Sequence, residues 1–498
     1  MRILNMEDLV SHGNIAGRKI VGEILEAGME AGDPYNAAIK LMQRKGNILT
    51  LNGPEYEPMG APKSGPIEYN LDKDIDRIFL FGAGKGVLRI AKALEDVLGD
   101  YLTGGCVIVK KGDKEDLSGK IEVFYGAHPV PDEDCARGCR RIIEMSKEKK
   151  LTQRDLVFTV IGNGVGSLLT LPAEGVSLDA VRQMVRILQI EKGVGTAELS
   201  IIRNQVDQLK GGRITRLLKP AKMIHLLALD CNYGNTGIPG YMGLMRANVW
   251  IHSMPDVGSR EGAVALLKKW EAYEQVDESI RTYLQQEHPE NEVMRFPEFE
   301  AMDCRIFGLM PDTHGPLVAA MKKADELGYP AHLINRVMEV EASVMGRFFG
   351  YLARCVISDK QPFPAPCALF FTGEMLVTVG DGDGIGGRNQ ESALSSARLI
   401  QNQKRIVIGC VDTDGTDGPG GHFDDEAAAK GITTLSGGIV DGYTFGEAFE
   451  KGIDIGAALM NHGTSQPLWR LNCGVWATQN ISVQDLVVVL VMSENEVA

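Results

Sequence analysis

Short apolar runs alternate with amphipathic stretches along most of the chain. Arg77-Ile78-Phe79-Leu80-Phe81 has the unbroken apolar character of a strand buried on both faces, and residues 87–98 repeat apolar side chains at helical spacing. The same unit recurs. Strands are expected at 106–109 and 121–125, a helix at about 134–147, and a strand at 156–161. A helix capped by Ser177 should reach about residue 190, another should run from 196 to 209, and a strand over 223–229 ends at Asp230. Upstream, residues 14–46 read as one or two helices, and the proline-marked stretch 49–75 as an irregular excursion or extended hairpin. After a less regular segment, 235–300, the rhythm restarts at 304–309. Helices follow at 317–327 and 339–354, then strands at 375–379, 405–411 and 486–491 and a helix at 389–400.

This alternation predicts an α/β protein. Its first domain should be a Rossmann-like, doubly wound parallel sheet that takes ligands at the carboxyl ends of its strands. A boundary near residue 300 gives two α/β domains, 1–300 and 301–498. Composition narrows the partners. A net charge of −14 without long basic runs argues against nucleic acid. No apolar stretch is long enough to span a membrane, and Met1 to Asp8 shows no charged region followed by an apolar core. The nine cysteines form no CxxC pair, and Cys135 and Cys139 have no matching second pair, so packed, reduced thiols and a cytoplasmic setting are expected.

Three turns carry candidate chemistry. Gly384-Ile385-Gly386-Gly387-Arg388-Asn389-Gln390-Glu391 leads from the expected 375–379 strand into a helix. A helix start offers unpaired amides and partial positive charge, and Arg388 adds a planar cationic fork suited to phosphate or carboxylate. The plainer alternative is a strand-to-helix turn with a solvated arginine. Gly82-Ala83-Gly84-Lys85-Gly86 resembles two phosphate loops and matches neither. The third glycine comes one place early for a dinucleotide fingerprint, the next strand ends in Lys110-Lys111 where a ribose-binding acid belongs, and no Ser or Thr follows Lys85. In Val411-Asp412-Thr413-Asp414-Gly415-Thr416-Asp417-Gly418-Pro419 the carboxylates suit Mg²⁺ or a substrate hydroxyl, or simply favour a turn. His128, before Pro129, either touches a ligand or bonds a carbonyl. Asp230 is placed to act as general base or metal ligand.

The 411–419 turn, Gly386-Gly387-Arg388-Asn389-Gln390-Glu391, His128-Pro129-Val130-Pro131-Asp132-Glu133, Leu171-Pro172-Ala173-Glu174-Gly175-Val176-Ser177-Leu178 and Lys210-Gly211-Gly212-Arg213 together resemble the glycerate 2-kinase family. Bacterial members of that family were long labelled putative hydroxypyruvate reductases, and its chains end in a MOFRL domain, here about 365–495. The resemblance runs from about residue 75 to the C-terminus. It implies an active site in an inter-domain cleft and ATP- and Mg²⁺-dependent phosphorylation of the C2 hydroxyl of D-glycerate, a small hydroxy acid. It places the catalytic lysine on Lys85 and the active-site arginine on Arg388, both in open, hydrated surroundings where their loss would cost little stability. Substrate or nucleotide contacts fall on Gly82, Gly84, His128, Asn163, Gly164, Ser167, Arg203, Gly387, Asn389, Asp414 and Asp417, with Asp230, Asp412 and Asp414 as metal candidates. A homo-oligomer is compatible with it.

Five loops depart from the family pattern. Gly162-Asn163-Gly164-Val165-Gly166-Ser167 replaces a serine followed by three glycines, and Arg203 is followed by Asn204-Gln205. Cys231-Asn232-Tyr233 replaces an acidic turn, Thr372-Gly373-Glu374 a Gly-Gly-Glu turn, and Ala477-Thr478-Gln479-Asn480-Ile481-Ser482 a Gly-Pro-Thr-Gly-Thr-Asn loop. These changes predict a reshaped acceptor pocket and poor turnover of D-glycerate. They leave room for other chemistry in the same cleft, on a small carboxylate or an acyl or carbamoyl phosphate, or for a non-catalytic relative. Hydride transfer fails on the missing ribose acid.

That missing acid generates a test. ATP with Mg²⁺ should raise the melting temperature, and NADH or NADPH should not. Ligand at about 100 times Kd contributes about 2.7 kcal/mol, which a melting scan resolves. A shift with a nicotinamide cofactor and none with ATP would reverse the reading.

Overall fold

A computed structural model of the chain describes residues 1–232, 238–311, 315–336, 338–479 and 485–496. It divides into two compact units, residues 33–313 and a second made of residues 1–32 with 314–498.

In the first unit six strands lie in the spatial order Ile121–Gly126, Leu102–Lys110, Arg77–Ala83, Asp155–Ile161, Lys222–Leu227, Cys304–Gly308, every neighbouring pair parallel. Alternate residues enter opposite cores. Phe79 and Phe81 pack with Cys135, Cys139 and Ile142 of helix Glu133–Lys149, while Ile78 and Leu80 pack with Ile90, Ala91 and Leu94 of helix Val87–Leu98. Burial on both faces explains the unbroken apolar runs. The order is that of a doubly wound sheet, and the winding reverses between Arg77–Ala83 and Asp155–Ile161. Cys304–Gly308 does not restart a second domain, as its sequence position suggested. Met223 pairs with Cys304 and Leu227 with Gly308, so it closes this sheet as its sixth strand. Residues 42–70 form a three-stranded antiparallel sheet, Met42–Lys45, Ile48–Leu51 and Ile67–Asn70: helix was expected to reach residue 46, and of the two alternatives for 49–75 the extended hairpin is nearer than the irregular excursion.

The second unit holds a mixed sheet in the order Ala331–Asn335, Cys367–Gly373, Asp485–Val491, Ile406–Asp412, Gly437–Asp441, Gly474–Val475. Only the first pair is parallel. The expected strand at 375–379 is absent. The strand ends at Gly373, and Leu376 keeps one isolated bridge to Glu341.

Residues 1–32 belong to this unit, not to the one that follows them in sequence. Helix Ile15–Ala31, capped by Asn14 accepting from the Gly17 amide, lays Val21, Ile24, Leu25 and Met29 on the sheet face formed by Phe370, Val407, Leu486, Val488 and Leu490. Each such burial contributes about 1.5–3 kcal/mol. The same helix carries Arg18, fully buried, whose Nε donates to Asp441 Oδ2 at 2.6 Å and whose Nη2 donates to Thr444 Oγ1 at 3.1 Å.

Arg18→Met would leave the buried Asp441 carboxylate without its cation and should cost about 3–5 kcal/mol in urea unfolding, most of it regained in the Arg18→Met/Asp441→Leu pair. Equal instability of single and double variants would show that the ion pair is not what Arg18 contributes.

Candidate functional site

The first unit places two glycine-rich turns side by side at its topological switch point. Ala83 and Ile161 are opposite one another at the ends of their strands, so the turns after them meet. The Gly162 amide donates to Ala83 O at 3.1 Å, and the Lys85 amide to Asn163 O at 2.8 Å. Gly82 presses on the backbone of Val160, and Gly84, at φ +138°, on Gly162. No side chain fits at either position, which is why small residues recur there. Half-buried Lys85 thus leaves a rigid backbone cradle just before helix Val87–Leu98.

The second turn gathers further predicted residues. Gly164 has φ +76°, and a methyl group there would lie 3.0 Å from His128 Nε2, so the imidazole stacks against the loop. Ser167 is buried and donates its hydroxyl to the Pro129 carbonyl, tying the two segments together. Arg203 lies beneath Gly166. Val165 does not narrow the ligand side of the loop, as its β-branched side chain suggested. It points into the core with Phe81, Leu168 and Ile214. Cys231 and Asn232 tie the chain to the excursion: the Cys231 thiol bonds Tyr56 O at 3.2 Å, and Asn232 Oδ1 accepts the Met59 amide at 2.7 Å. Asp230 stands half-buried just past strand Lys222–Leu227, with Oδ1 accepting the Asn232 amide at 2.9 Å. Tyr233 and 480–482 lie outside the described residues.

Lys210-Gly211-Gly212-Arg213 is a structural buckle. Lys210 is buried and donates to Asp207 Oδ2 at 2.6 Å and Thr170 Oγ1 at 2.9 Å. Gly211 and Gly212 both have positive φ, and the Gly212 amide holds the His252 carbonyl at 2.9 Å. His252 had no signal in the sequence beyond being a histidine in an irregular segment.

In the second unit Arg388 is not a solvated fork in an open cleft. Asp412 ends one strand and Asp485 begins its antiparallel neighbour, directly opposite it. Arg388 bridges these like charges, with Nε 2.8 Å from Asp485 Oδ1 and Nη2 2.8 Å from Asp412 Oδ2. Nη1 faces Glu374 at 3.7 Å. Asn389 donates to Asp485 at 2.7 Å, and the Gln390 amide to Asp417 Oδ2 at 2.8 Å. Gly387 packs directly on Asp417, leaving no room for a side chain. Burial works against the Arg388 charge, but Asp485, Asp412, Glu374 and Asp417 together hold its pKa well above the ordinary value. Asp485 was missed in the sequence because an acid before an apolar run is an ordinary strand start.

The donor set argues against a ready-made metal cage. Asp412 Oδ1 accepts the Asp414 amide and Oδ2 takes Arg388, while Asp414 Oδ1 accepts both the amide and the hydroxyl of Thr416. Among the described residues no group of three or more His, Cys, Asp or Glu is poised for a metal. A Mg²⁺ that arrives with nucleotide phosphates needs only one or two carboxylates, and Asp230, just past the strand that neighbours Asp155–Ile161, is a residue of that type.

Comparisons with known proteins extend this geometry. Two family models match: one described as a domain of unknown function, over residues 20–237, and the MOFRL family, over 367–479. A glycerate 2-kinase of Pyrococcus horikoshii is 27% identical over 488 residues, 96% of this chain and 97% of its own. A D-glycerate 2-kinase of Thermotoga maritima is 31% identical over 371 residues, covering 74% of this chain and 80% of its own. The crystal structure of a glycerate kinase from Thermotoga maritima matches with a TM-score of 0.68 at 28% identity, over 95% of this chain and 99% of that one.

The crowding of acids around one arginine has a measurable consequence. Burial pushes the Asp417 carboxyl up to about 6 against the pull of Arg388. A carboxyl raised above its unfolded value holds a proton in the folded state that the unfolded chain has released, so its contribution to stability is present near pH 4 and lost as pH rises through about 6. Asp417→Asn should therefore melt above the parent at pH 7.5, by up to roughly 3 kcal/mol, with the advantage vanishing towards pH 4.5. An advantage independent of pH would show that Asp417 is not the proton-binding group.

Proposed function

Because the chain belongs to the glycerate 2-kinase family, it is a phosphotransferase acting on a small hydroxy acid, and we propose that it transfers the terminal phosphoryl group of ATP to the C2 hydroxyl of D-glycerate. The observation that carries this reading is the pair of zipped glycine turns at the switch point, with Lys85 on one and His128, Asn163 and Arg203 against the other. Glycine lets the two turns pack backbone against backbone and fixes the position of Lys85, and phosphoryl transfer demands mainly positioning and charge stabilisation.

In the proposed reaction the acceptor oxygen bonds to the γ-phosphorus as the bond to the β–γ bridging oxygen breaks, and ADP leaves with that electron pair. Lys85 offsets the negative charge on the transferred group. Asp230 at the strand edge takes the hydroxyl proton or holds the metal. Mg²⁺, when bound, supplies further positive charge to the phosphates. Within the second unit Arg388 stays tied to Asp485 and Asp412, with Nη1 3.7 Å from Glu374.

The expectation of poor turnover loses much of its basis. Val165 faces the core, and Cys231 and Asn232 anchor a neighbouring loop, so neither removes acceptor contacts. In an ADP-release assay kcat/KM for D-glycerate should fall within the usual enzyme range, about 10⁴–10⁸ M⁻¹s⁻¹. A value well below it would return the altered-acceptor reading. Lys85→Ala should lower turnover roughly a hundredfold or more without lowering the melting temperature. Arg388→Ala should lower both, because it strands two buried carboxylates, and Arg388→Lys should rescue neither fully because an ammonium lacks the fork. An Arg388→Ala variant as stable as the parent would overturn the role given to Asp412 and Asp485.

A further inference from the structure

Helix Ala342–Asp359 of the second unit carries apolar side chains on two sides. One side is packed. Gly346 lies against Ser392 and Ser395 of helix Arg388–Ala397, and Gly350 against Leu399 just past it, while Phe349 and Ala353 reach Leu369 and Phe371 of the sheet. The other side is open. Val344 is 43% exposed, Phe348 46% and Tyr351 56%, and Cys355 is exposed as well. Spacings of four, three and four residues set these side chains in a single stripe along the helix. Single exposed apolar residues are ordinary, but a contiguous stripe marks an interaction surface.

The place of the helix in the fold says which way the stripe points. Helix Arg388–Ala397 lies over strands Ile406–Asp412 and Gly437–Asp441, so Ala342–Asp359 stands beside it on the flank nearer strand Ala331–Asn335. That strand ends the sheet. Cys367–Gly373 pairs with one side of it, and among the described residues no strand pairs with the other. The stripe, turned away from Gly346 and Gly350, therefore faces out past this edge. An open edge is a template for another strand, and Ala331–Asn335 holds neither lysine nor proline to discourage pairing. The Ala331 amide is already taken by Asp325 Oδ1 at 2.9 Å, so the edge left is short and the helix must supply most of the contact.

We propose that a second copy of this chain covers the stripe, the two copies meeting about a two-fold axis normal to the sheet beside strand Ala331–Asn335. One such axis serves both features. It sets the two edge strands antiparallel in one continuous sheet and the two helices antiparallel on the same face of it. About a midpoint between Phe349 and Gly350, Phe348 of each copy meets Tyr351 of the other and Val344 meets Cys355, so the stripe is complementary to itself. The charges at its ends agree. Glu339 and Glu341 stand before the helix and Arg354 and Lys360 near its end, with Asp359 the exception, so antiparallel approach sets acidic against basic and opposes the two macrodipoles. On the other face of the sheet, exposed Lys322 and Glu326 of helix Pro316–Glu326 give the surface a rim of both signs. A foreign partner would need none of this self-complementarity. The inference is independent of the reaction.

Sedimentation velocity of the full chain is the test, with circular dichroism of each protein as the check of folding. At tens of micromolar the parent should sediment at twice the 54.2 kDa of one chain. Phe348→Glu/Tyr351→Glu should weaken association roughly a hundredfold or more and keep the parent's spectrum, since both side chains are exposed. Val344→Cys should form a disulfide-linked dimer with native Cys355 under mild oxidation, and Val344→Cys/Cys355→Ser should not. The parent itself should not cross-link, because its two Cys355 thiols would stand about 16 Å apart along the helices and its other cysteines are buried. A monomeric parent would leave the stripe to a partner of another kind and overturn the inference. So would a dimer untouched by the glutamates, which would place the interface elsewhere, or a parent cross-linked through Cys355, which would show that the helices do not meet antiparallel. Should the glutamates disturb folding, the Val344→Cys cross-link decides alone.

Discussion

The pairing of strand Arg77–Ala83 with strand Asp155–Ile161 is the constraint on which the first unit's candidate chemistry depends. These strands are far apart in sequence and adjacent in space because the sheet winds outward in both directions from them. Parallel pairing in register brings both carboxyl ends to the same level. Two turns must then share one small volume, and only glycine allows their backbones to touch. Lys85, His128, Asn163 and Arg203 come together as a result, each from a different segment, with no sequence signal linking them.

The second unit solves a different electrostatic problem twice. An aspartate at the end of a strand is buried and is answered by an arginine from elsewhere: Asp441 by Arg18, and the Asp412–Asp485 pair by Arg388. Such pairs contribute little net stability by themselves, since desolvation offsets most of the attraction. Removing one partner is costly, however, and this ties distant segments into a single arrangement. Arg388 is therefore held in place by the same contacts that make the sheet edge tolerable. A charged group that must be aimed gains accuracy when most of its nitrogens are already committed.

Much of the first unit was legible in the sequence because strands buried on both faces are continuous apolar runs and their helices are long and periodic. The order of elements from Arg77 to Leu227 follows directly from that pattern. What was not legible depends on long-range pairing. Cys304–Gly308 has the same local character whether it closes one sheet or opens the next, and only its register against Lys222–Leu227 decides. Gly437–Asp441 and Gly474–Val475 are short and glycine-bearing, so propensity speaks against them and pairing overrides it. Among the site residues, Lys85 and Arg388 stood out through their glycine neighbours. His252 and Asp485 did not, because their chemistry comes from what surrounds them and not from what precedes them.

The division of the second unit between the two ends of the chain sets an order on biosynthesis. Helix Ile15–Ala31 leaves the ribosome more than 450 residues before Asp485–Val491, the strand that completes the face it covers. During that interval residues 33–313 have all the strands of their own sheet and can fold, while Val21, Ile24, Leu25 and Met29 have no surface to meet. At a synthesis rate of about 5–20 residues per second, the wait lasts tens of seconds. An apolar helix face left uncovered for that long is a natural binding site for holding chaperones. A pause before Asp485–Val491 would therefore leave the apolar face of helix Ile15–Ala31 exposed as well.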